Sequence, residues 1–302
     1  MNQPIIECVP NFSEGRRPEV IEAIAQAIRQ VEGVTLLDVD PGKATNRTVM
    51  TMAGRPDRVI EAAFLAIRTA ASLIDMRQHK GEHPRMGATD VCPLIPIQGI
   101  SMEETAAFAH QLAKRVGDEL KIPVYMYEAA ATQPERKNLA TIRAGEYEGF
   151  SKKILDPDWK PDYGPQDFNV TAGATVIGAR DFLIAYNVNL NTRSERKANS
   201  VAFDIREKGR IKRIGNPVTG EVVKDERGEP VREEGMCKGV KAIGWYIEEY
   251  QLAQVSMNIT DTKLTALHTA FDACVQSAAS RGLRVTGSEL VGLVPLTVML
   301  DA

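Results

Sequence analysis

Two runs of alternating strand-like and helix-like apolar patterns, separated by a stretch with neither, constrain this chain more than any other feature. In the first run "IIECVP" is a short apolar segment, after which Val20, Ile21, Ile24, Ile28 and Val31 recur at helical spacing. "GVTLLDVD" and "NRTVMTMAG" read as successive strands. Pro56 then opens a helix with Val59, Ile60, Ala63, Phe64, Ile67 and Ile74 on one stripe. "ATDVCPLIPI" reads as a strand that Pro93 and Pro96 confine to a sheet edge or a bend. Ser101 and Glu104 have capping-box spacing for a helix through about residue 117, and "IPVYMY" follows as a strand.

Residues 128–172 carry Pro, Gly and charge with weak periodicity, and read as a linker or a functional surface loop. From residue 173 the alternation restarts with "GATVIGA", "DFLIAYNVNL", a helix over about 193–207, strands in "VKAIGWYIE" and "LAQVSMNIT", and a helix over about 263–280. Between them, turn signals at Asn216-Pro217 and Arg227-Gly228 predict a protruding charged hairpin over residues 211–235. Several neighbouring strands lack a crossover helix. The prediction is therefore an α/β chain of α+β character, with mixed sheets and helices on one face. The 302 residues suffice for two such units, 1–172 and 173–302.

A net charge of -3 and a pI near 5.9 offer no basic surface for a polyanion, which argues against nucleic acid or a membrane surface and for a small-molecule partner. Cys8, Cys92, Cys237 and Cys274 lie far apart, with no C-x-x-C pair, and read as reduced thiols. The amino-terminal stretch has neither the basic region nor the long apolar run of a signal peptide, and no later segment approaches membrane-spanning length. A cytoplasmic location is expected.

"HKGEH", residues 79–83, matches the H-x-x-E-H spacing of a zinc peptidase. That chemistry needs both imidazoles one turn apart on a continuous helix. Gly81 inside the motif and Pro84 after it disfavour a helix there, so the ligand geometry is not expected, although loop histidines can coordinate zinc in other ways. The segment instead gathers His79, Glu82, His83, Arg85 and Asp90, a set able to move protons for a small substrate or simply to form a charged surface turn. His110 should face water, whereas His268 falls with Leu264, Leu267 and Phe271 and reads as a core or contact histidine. Asp38 and Asp40 share one face if their strand runs that far, at a strand end where ligands bind or in a plain Asp-Pro-Gly turn.

The phrases "ECVPNFSEG", "LLDVD", "NRTV" followed by "GRP", "GEHPRMGATDVCP", "RAGEYE", "AIGWY", "LAQVSMN" and "GSELVGLVPL", in this order, resemble the formiminotransferase domain family. The resemblance implies transfer of the formimino group of N-formimino-L-glutamate to N-5 of tetrahydrofolate, a step of histidine breakdown. It implies two α/β subdomains whose mixed sheets stack face to face, with helices on the outer faces, around an electropositive tunnel for the folate. His83 matches the family's catalytic histidine, and His79 a less essential position. Asp40 matches the aspartate of "LLDVD". The folate loop matches Gly164, Pro165, Gln166, Asp167, Phe168, Asn169, Val170, Thr171, Ala172 and Gly173, and Arg85 resembles a substrate-binding position.

Tetrahydrofolate enters as a co-substrate, no metal is required, and a homodimer is expected. Animal forms join this domain to a cyclodeaminase, and the present chain resembles a stand-alone form, with a longer hairpin at 211–235. Formyl transfer between 5-formyltetrahydrofolate and glutamate is the nearest rival. A folate-binding protein without catalysis is another, and the intact "GEHPRMG" argues against it.

Overall fold

A computed structural model describes residues 3–81, 83–216 and 219–302. The chain divides into two units, Met1–Asp181 and Phe182–Ala302. The first contains, in order, β1 (Ile5–Cys8), β2 (Asn11–Phe12), α1 (Pro18–Arg29), β3 (Val34–Gly42), β4 (Arg47–Gly54), α2 (Pro56–Leu73), β5 (Thr89–Gln98), α3 (Met102–Arg115), β6 (Val124–Glu128), α4 (Leu139–Arg143), α5 (Glu146–Lys153) and β7 (Thr175–Ala179). Its seven-stranded sheet runs β1-β4-β2-β5-β7-β6, with β3 on β4. The pairs among β1 to β5 are antiparallel, whereas β7 lies parallel to both β5 and β6. The sheet is mixed, as expected.

Period-two alternation decides which face each strand residue serves. Cys92 and Leu94 of β5, Val124 and Met126 of β6 and Ile177 and Ala179 of β7 join the core under α1, α2 and α3. Val91, Tyr125, Tyr127 and Val176 point the other way. Those side chains need a cover, and Ile142 of α4, Phe150 of α5 and Ile154 just after it supply one, with Trp159 and Phe168 packed alongside. The stretch 128–172 is therefore a folded layer rather than a linker. Its weak periodicity reflects very short helices, of five and eight residues.

Two further expectations are corrected. β5 lies inside the sheet, not at an edge. Its prolines are accommodated because the Pro93 carbonyl accepts the Val9 N–H at 3.2 Å and Pro96 sits at a register shift against β1. The junction also falls at Asp181/Phe182 instead of 172/173, since the segment read as opening the second unit is β7, inserted between β5 and β6 of the first sheet. The capping box forms as the sequence dictates: Ser101 Oγ accepts the Glu104 N–H at 3.1 Å and the Glu104 carboxylate accepts the Ser101 N–H at 2.8 Å.

The second unit begins with β8 (Ile184–Leu190) and α6 (Glu195–Ile205). A charged excursion follows, with β9 (Arg210–Ile211) paired to β12 (Arg232–Glu233) and β10 (Arg213–Ile214) paired to β11 (Glu221–Val222). The predicted single hairpin is thus two short nested ones. The turn at Arg227-Gly228 is present, with Gly228 at φ +81°, and Pro217 of the other turn signal lies outside the described residues. The chain then forms β13 (Val240–Ile247), β14 (Leu252–Ile259), α7 (Leu267–Ala279), β15 (Val285–Val291) and α8 (Leu296–Leu300). The sheet β13-β14-β8-β15 is wholly antiparallel, and α6 and α7 close one core over it. His268 is exposed on α7 rather than in that core. Among the described residues no helix is long and apolar enough to cross a membrane.

One close backbone approach fixes where the HKGEHPRMG loop lands. Gly87 bridges Gly173 just before β7, and a Cβ on Gly87 would stand 2.3 Å from the Ala174 carbonyl oxygen. Gly87→Ala is expected to lower folding stability by about 1–3 kcal/mol, the usual cost of overpacking. Urea denaturation of both proteins measures it, and an unchanged midpoint would contradict the approach.

Candidate functional site

The loop between α2 and β5 is irregular at every described residue of 79–83, so the helix that the zinc motif would need is absent there; Glu82 lies outside the described residues. Other segments hold this loop in place. Asn46, in the β3–β4 turn at φ +48°, donates from Nδ2 to the Lys80 carbonyl at 2.9 Å. Asn is among the few residues that adopt this conformation readily. Ser13 Oγ donates to the Gly87 carbonyl at 2.7 Å, and the Tyr147 N–H donates to the Arg85 carbonyl at 2.9 Å. Ala88 N–H donates to the Ala172 carbonyl and Ala174 N–H to the Met86 carbonyl. Four of the phrases that carry the family resemblance therefore meet in space: "ECVPNFSEG", "NRTV", "GEHPRMG" and "RAGEYE".

The two histidines of the loop have different surroundings. His79 is buried, with Nδ1 3.1 Å from Arg85 Nε and Nε2 2.8 Å from the Asn46 carbonyl oxygen. Arginine can only donate, so Nδ1 accepts and Nε2 carries the proton that Asn46 receives. Both nitrogens of His79 are engaged, and burial holds its pKa below the ordinary value. His83 is partly exposed, and its Nδ1 lies 2.7 Å from the Pro84 carbonyl oxygen. A carbonyl only accepts, so Nδ1 bears the proton and Nε2 keeps its lone pair. Burial first, then the Arg47 and Arg143 guanidiniums, lower the His83 pKa from 6.5 to about 3, against the opposing charge of Asp90.

Asp90, at the start of β5, has a fully buried side chain. Its Oδ2 accepts from Arg47 Nη1 at 2.5 Å and from Arg143 Nη2, and its Oδ1 accepts from the Met86 N–H at 3.0 Å and from Arg143 Nε at 3.3 Å. Burial pushes this carboxyl up, and the Arg143 and Arg47 charges overcome it, leaving a pKa of about 2. Arg47 opens β4 and also donates from Nε to Asn11 at 3.0 Å. Arg143 ends α4, and the Lys153 ammonium fixes that helix end by donating to the carbonyls of Thr141, Ile142 and Ala144 at 3.1, 2.6 and 3.1 Å. A cation on the last carbonyls of a helix is favourable placement.

The residues carried over from the resemblance are placed as follows. Arg85 is buried and spends its guanidinium on Glu146 at 3.0 Å, on Glu148 at 2.7 and 2.8 Å, and on His79. Beside it opens a cavity of about 480 Å³ lined by Lys80, Gly81, Arg85, Gly145, Glu146 and Glu148. Asp38 and Asp40 face Thr51 and Val49 across the β3–β4 ladder, so β3 runs through both. In the loop from Gly164 to Gly173, Asn169 Oδ1 accepts the Thr171 and Ala172 amides and the Asn169 carbonyl accepts that of Gly173. Phe168 packs on Tyr147 and Phe150, and Pro165 and Asn169 are partly covered. Gly164, Gln166, Asp167, Val170 and Thr171 remain exposed, whereas Ala172 and Gly173 are buried. His110 does not face open water: it is half-buried, with Nδ1 3.0 Å from the Tyr163 hydroxyl. The sequence alone points to Asp90 only as one member of the polar loop set and does not single out Arg47 or Arg143, although both lie inside resemblance phrases.

Comparison with known proteins matches this arrangement to one family. Residues 5–180 match the family model described as the formiminotransferase domain, N-terminal subdomain, and residues 185–302 match that of the formiminotransferase domain. The chain belongs to the formiminotransferase domain family. This formiminotransferase-family chain is 50% identical over 298 residues to formimidoyltransferase-cyclodeaminase of Rattus norvegicus, covering 99% of the chain and 51% of that protein. It thus spans about half the length of that relative. It is 41% identical over 297 residues to glutamate formimidoyltransferase of Streptococcus pyogenes serotype M1, covering 98% of the chain and 91% of the relative. With the enzyme of the same name from Thermoplasma acidophilum it shares 40% over 299 residues, 98% of the chain and 90% of the relative.

Lys153→Met removes the charge that holds the end of α4 and is expected to lower folding stability by about 1.5–3 kcal/mol, the range for hydrogen bonds to a charged group. Thermal or urea melts measure this beside Lys152→Met, an exposed neighbour. Equal losses in the two variants would show that the Lys153 ammonium holds nothing.

Proposed function

We propose that this chain is a glutamate formimidoyltransferase that moves the formimino group of N-formimino-L-glutamate to N-5 of tetrahydrofolate, with His83 as general acid and base. The bare Nε2 of His83 carries this reading, because a proton acceptor is what the reaction first needs. The full-length likeness to two proteins named glutamate formimidoyltransferase supports the choice of substrates.

The folate N-5 attacks the formimino carbon and forms a tetrahedral adduct. His83 Nε2 takes the proton that N-5 loses and hands it to the glutamate nitrogen as the carbon–nitrogen bond to glutamate breaks. Glutamate and 5-formiminotetrahydrofolate result, and the histidine returns to its starting form. Asp40 would stabilise the positive charge that His83 carries between the two transfers. The exposed edge of the 164–173 loop supplies folate contacts in this reading, and tetrahydrofolate is a co-substrate. Holding both substrates together supplies much of the remaining acceleration, up to about 7–11 kcal/mol. No metal has a step in this scheme. A cytoplasmic homodimer goes with this reading on the strength of the family resemblance.

The test mixes the protein with N-formimino-L-glutamate and tetrahydrofolate, then acidifies and follows the absorbance of 5,10-methenyltetrahydrofolate. Turnover is expected, falling by about 10²–10⁴-fold in His83→Ala. Undiminished turnover in that variant would overturn the role of His83. A folded protein inactive with this donor, yet active with 5-formyltetrahydrofolate and glutamate, would overturn the donor assignment.

A further inference from the structure

We propose that Arg47 and Arg143, spread over the buried Asp90 carboxylate, form the position that receives the α-carboxylate of the amino-acid donor. The inference rests on the transferase reading and deepens it. It begins from a charge count: among the described residues two guanidiniums share one carboxylate, which leaves one positive charge in excess, and both guanidiniums act electrostatically on His83. At Arg85 the count is reversed, since one guanidinium meets two carboxylates, Glu146 and Glu148. Of these arginines, only the pair over Asp90 carries a surplus that an anion would neutralise.

Accessibility supports the same choice. The Asp90 side chain is fully buried, but those of Arg47 and Arg143 are 10% and 14% exposed, so the anchor is shielded while the heads retain contact with the surface. Asp90 and the Lys153-capped end of α4 hold the guanidiniums before any ligand arrives, which limits the ordering cost of binding. Guanidinium forks match carboxylates in shape as well as charge.

Distance within the substrates decides which carboxylate belongs here. In the donor, a single carbon separates the α-carboxylate from the nitrogen that leaves. In tetrahydrofolate, the whole p-aminobenzoyl group stands between N-5 and the glutamyl carboxylates. A carboxylate site whose charges act directly on the acid–base histidine therefore fits the donor. Occupancy would also cancel the cationic field that weakens His83 as a base, so the donor would strengthen the group that serves it.

Steady-state kinetics on the full chain test this with three donors: N-formimino-L-glutamate, N-formimino-4-aminobutyrate without the α-carboxylate, and N-formimino-2-aminobutyrate without the γ-carboxylate. Loss of the α-carboxylate is expected to lower kcat/KM by about 10- to 100-fold, the range for a charged hydrogen-bonded partner. Arg47→Lys and Arg143→Lys, which keep the charge but lose the fork, should erode that preference and leave the KM for tetrahydrofolate in place. An intact preference in both variants would overturn the inference. So would a defect that tracks the folate tail, seen by comparing tetrahydrofolate with tetrahydropteroate. Calorimetric titration with L-glutamate and 4-aminobutyrate gives the same comparison without turnover. It separates failure of this site from failure of the transferase reading, and thermal melts confirm that the lysine variants are folded.

Discussion

The buried carboxylate of Asp90 is the interaction on which the arrangement of the first unit's functional loop depends. It joins β5, which carries it, to Arg47 at the start of β4, to Arg143 at the end of α4 and to the amide of Met86 in the loop that bears His83. A buried carboxylate without partners would be costly, and here two segments far apart in sequence join the adjoining loop to satisfy it. Removing the carboxylate would leave two largely buried guanidiniums with no counter-charge between them. Such clusters add little net stability compared with an apolar core, but they fix geometry.

That geometry gives the two loop histidines different chemistry. His79 has both ring nitrogens occupied and acts as a strut between Arg85 and the Asn46 turn. His83 uses one nitrogen to hold its orientation and leaves the other without a hydrogen-bond partner among the described residues, next to a field that favours the neutral ring. The difference follows from neighbours rather than residue type.

Much of the architecture was legible from periodicity: the stripes of α1 and α2, the capping box of α3 and the alternating strands all formed. Of the edge or bend that Pro93 and Pro96 suggest, the edge is absent and an irregularity is present: a central strand carries proline where a carbonyl alone serves the ladder or where the register shifts. The layer over 128–172 was hidden because its helices are too short to show a period. The phrase "GEHPRMG" singles out His83 as a candidate in the sequence alone. The cluster of Arg47, Asp90 and Arg143 was not legible, since its members are 43 and 53 residues apart and no local spacing predicts such a meeting. His268 misled in the opposite sense: Leu267 and Phe271 pack on the core, but Leu264 lies ahead of α7 and is exposed, and the histidine next to Leu267 faces outward.

The central claim is that His83 rests as a neutral base with its proton on Nδ1, held so by the Pro84 carbonyl and by the arginines over Asp90. Nitrogen-15 NMR of labelled histidine in the folded chain reads this directly, with His83→Gln to assign the signal. The account predicts an Nδ1-protonated, Nε2-bare ring at neutral pH that gains a second proton only near pH 3. A ring that titrates at its ordinary 6.5, or that carries its proton on Nε2, would contradict it.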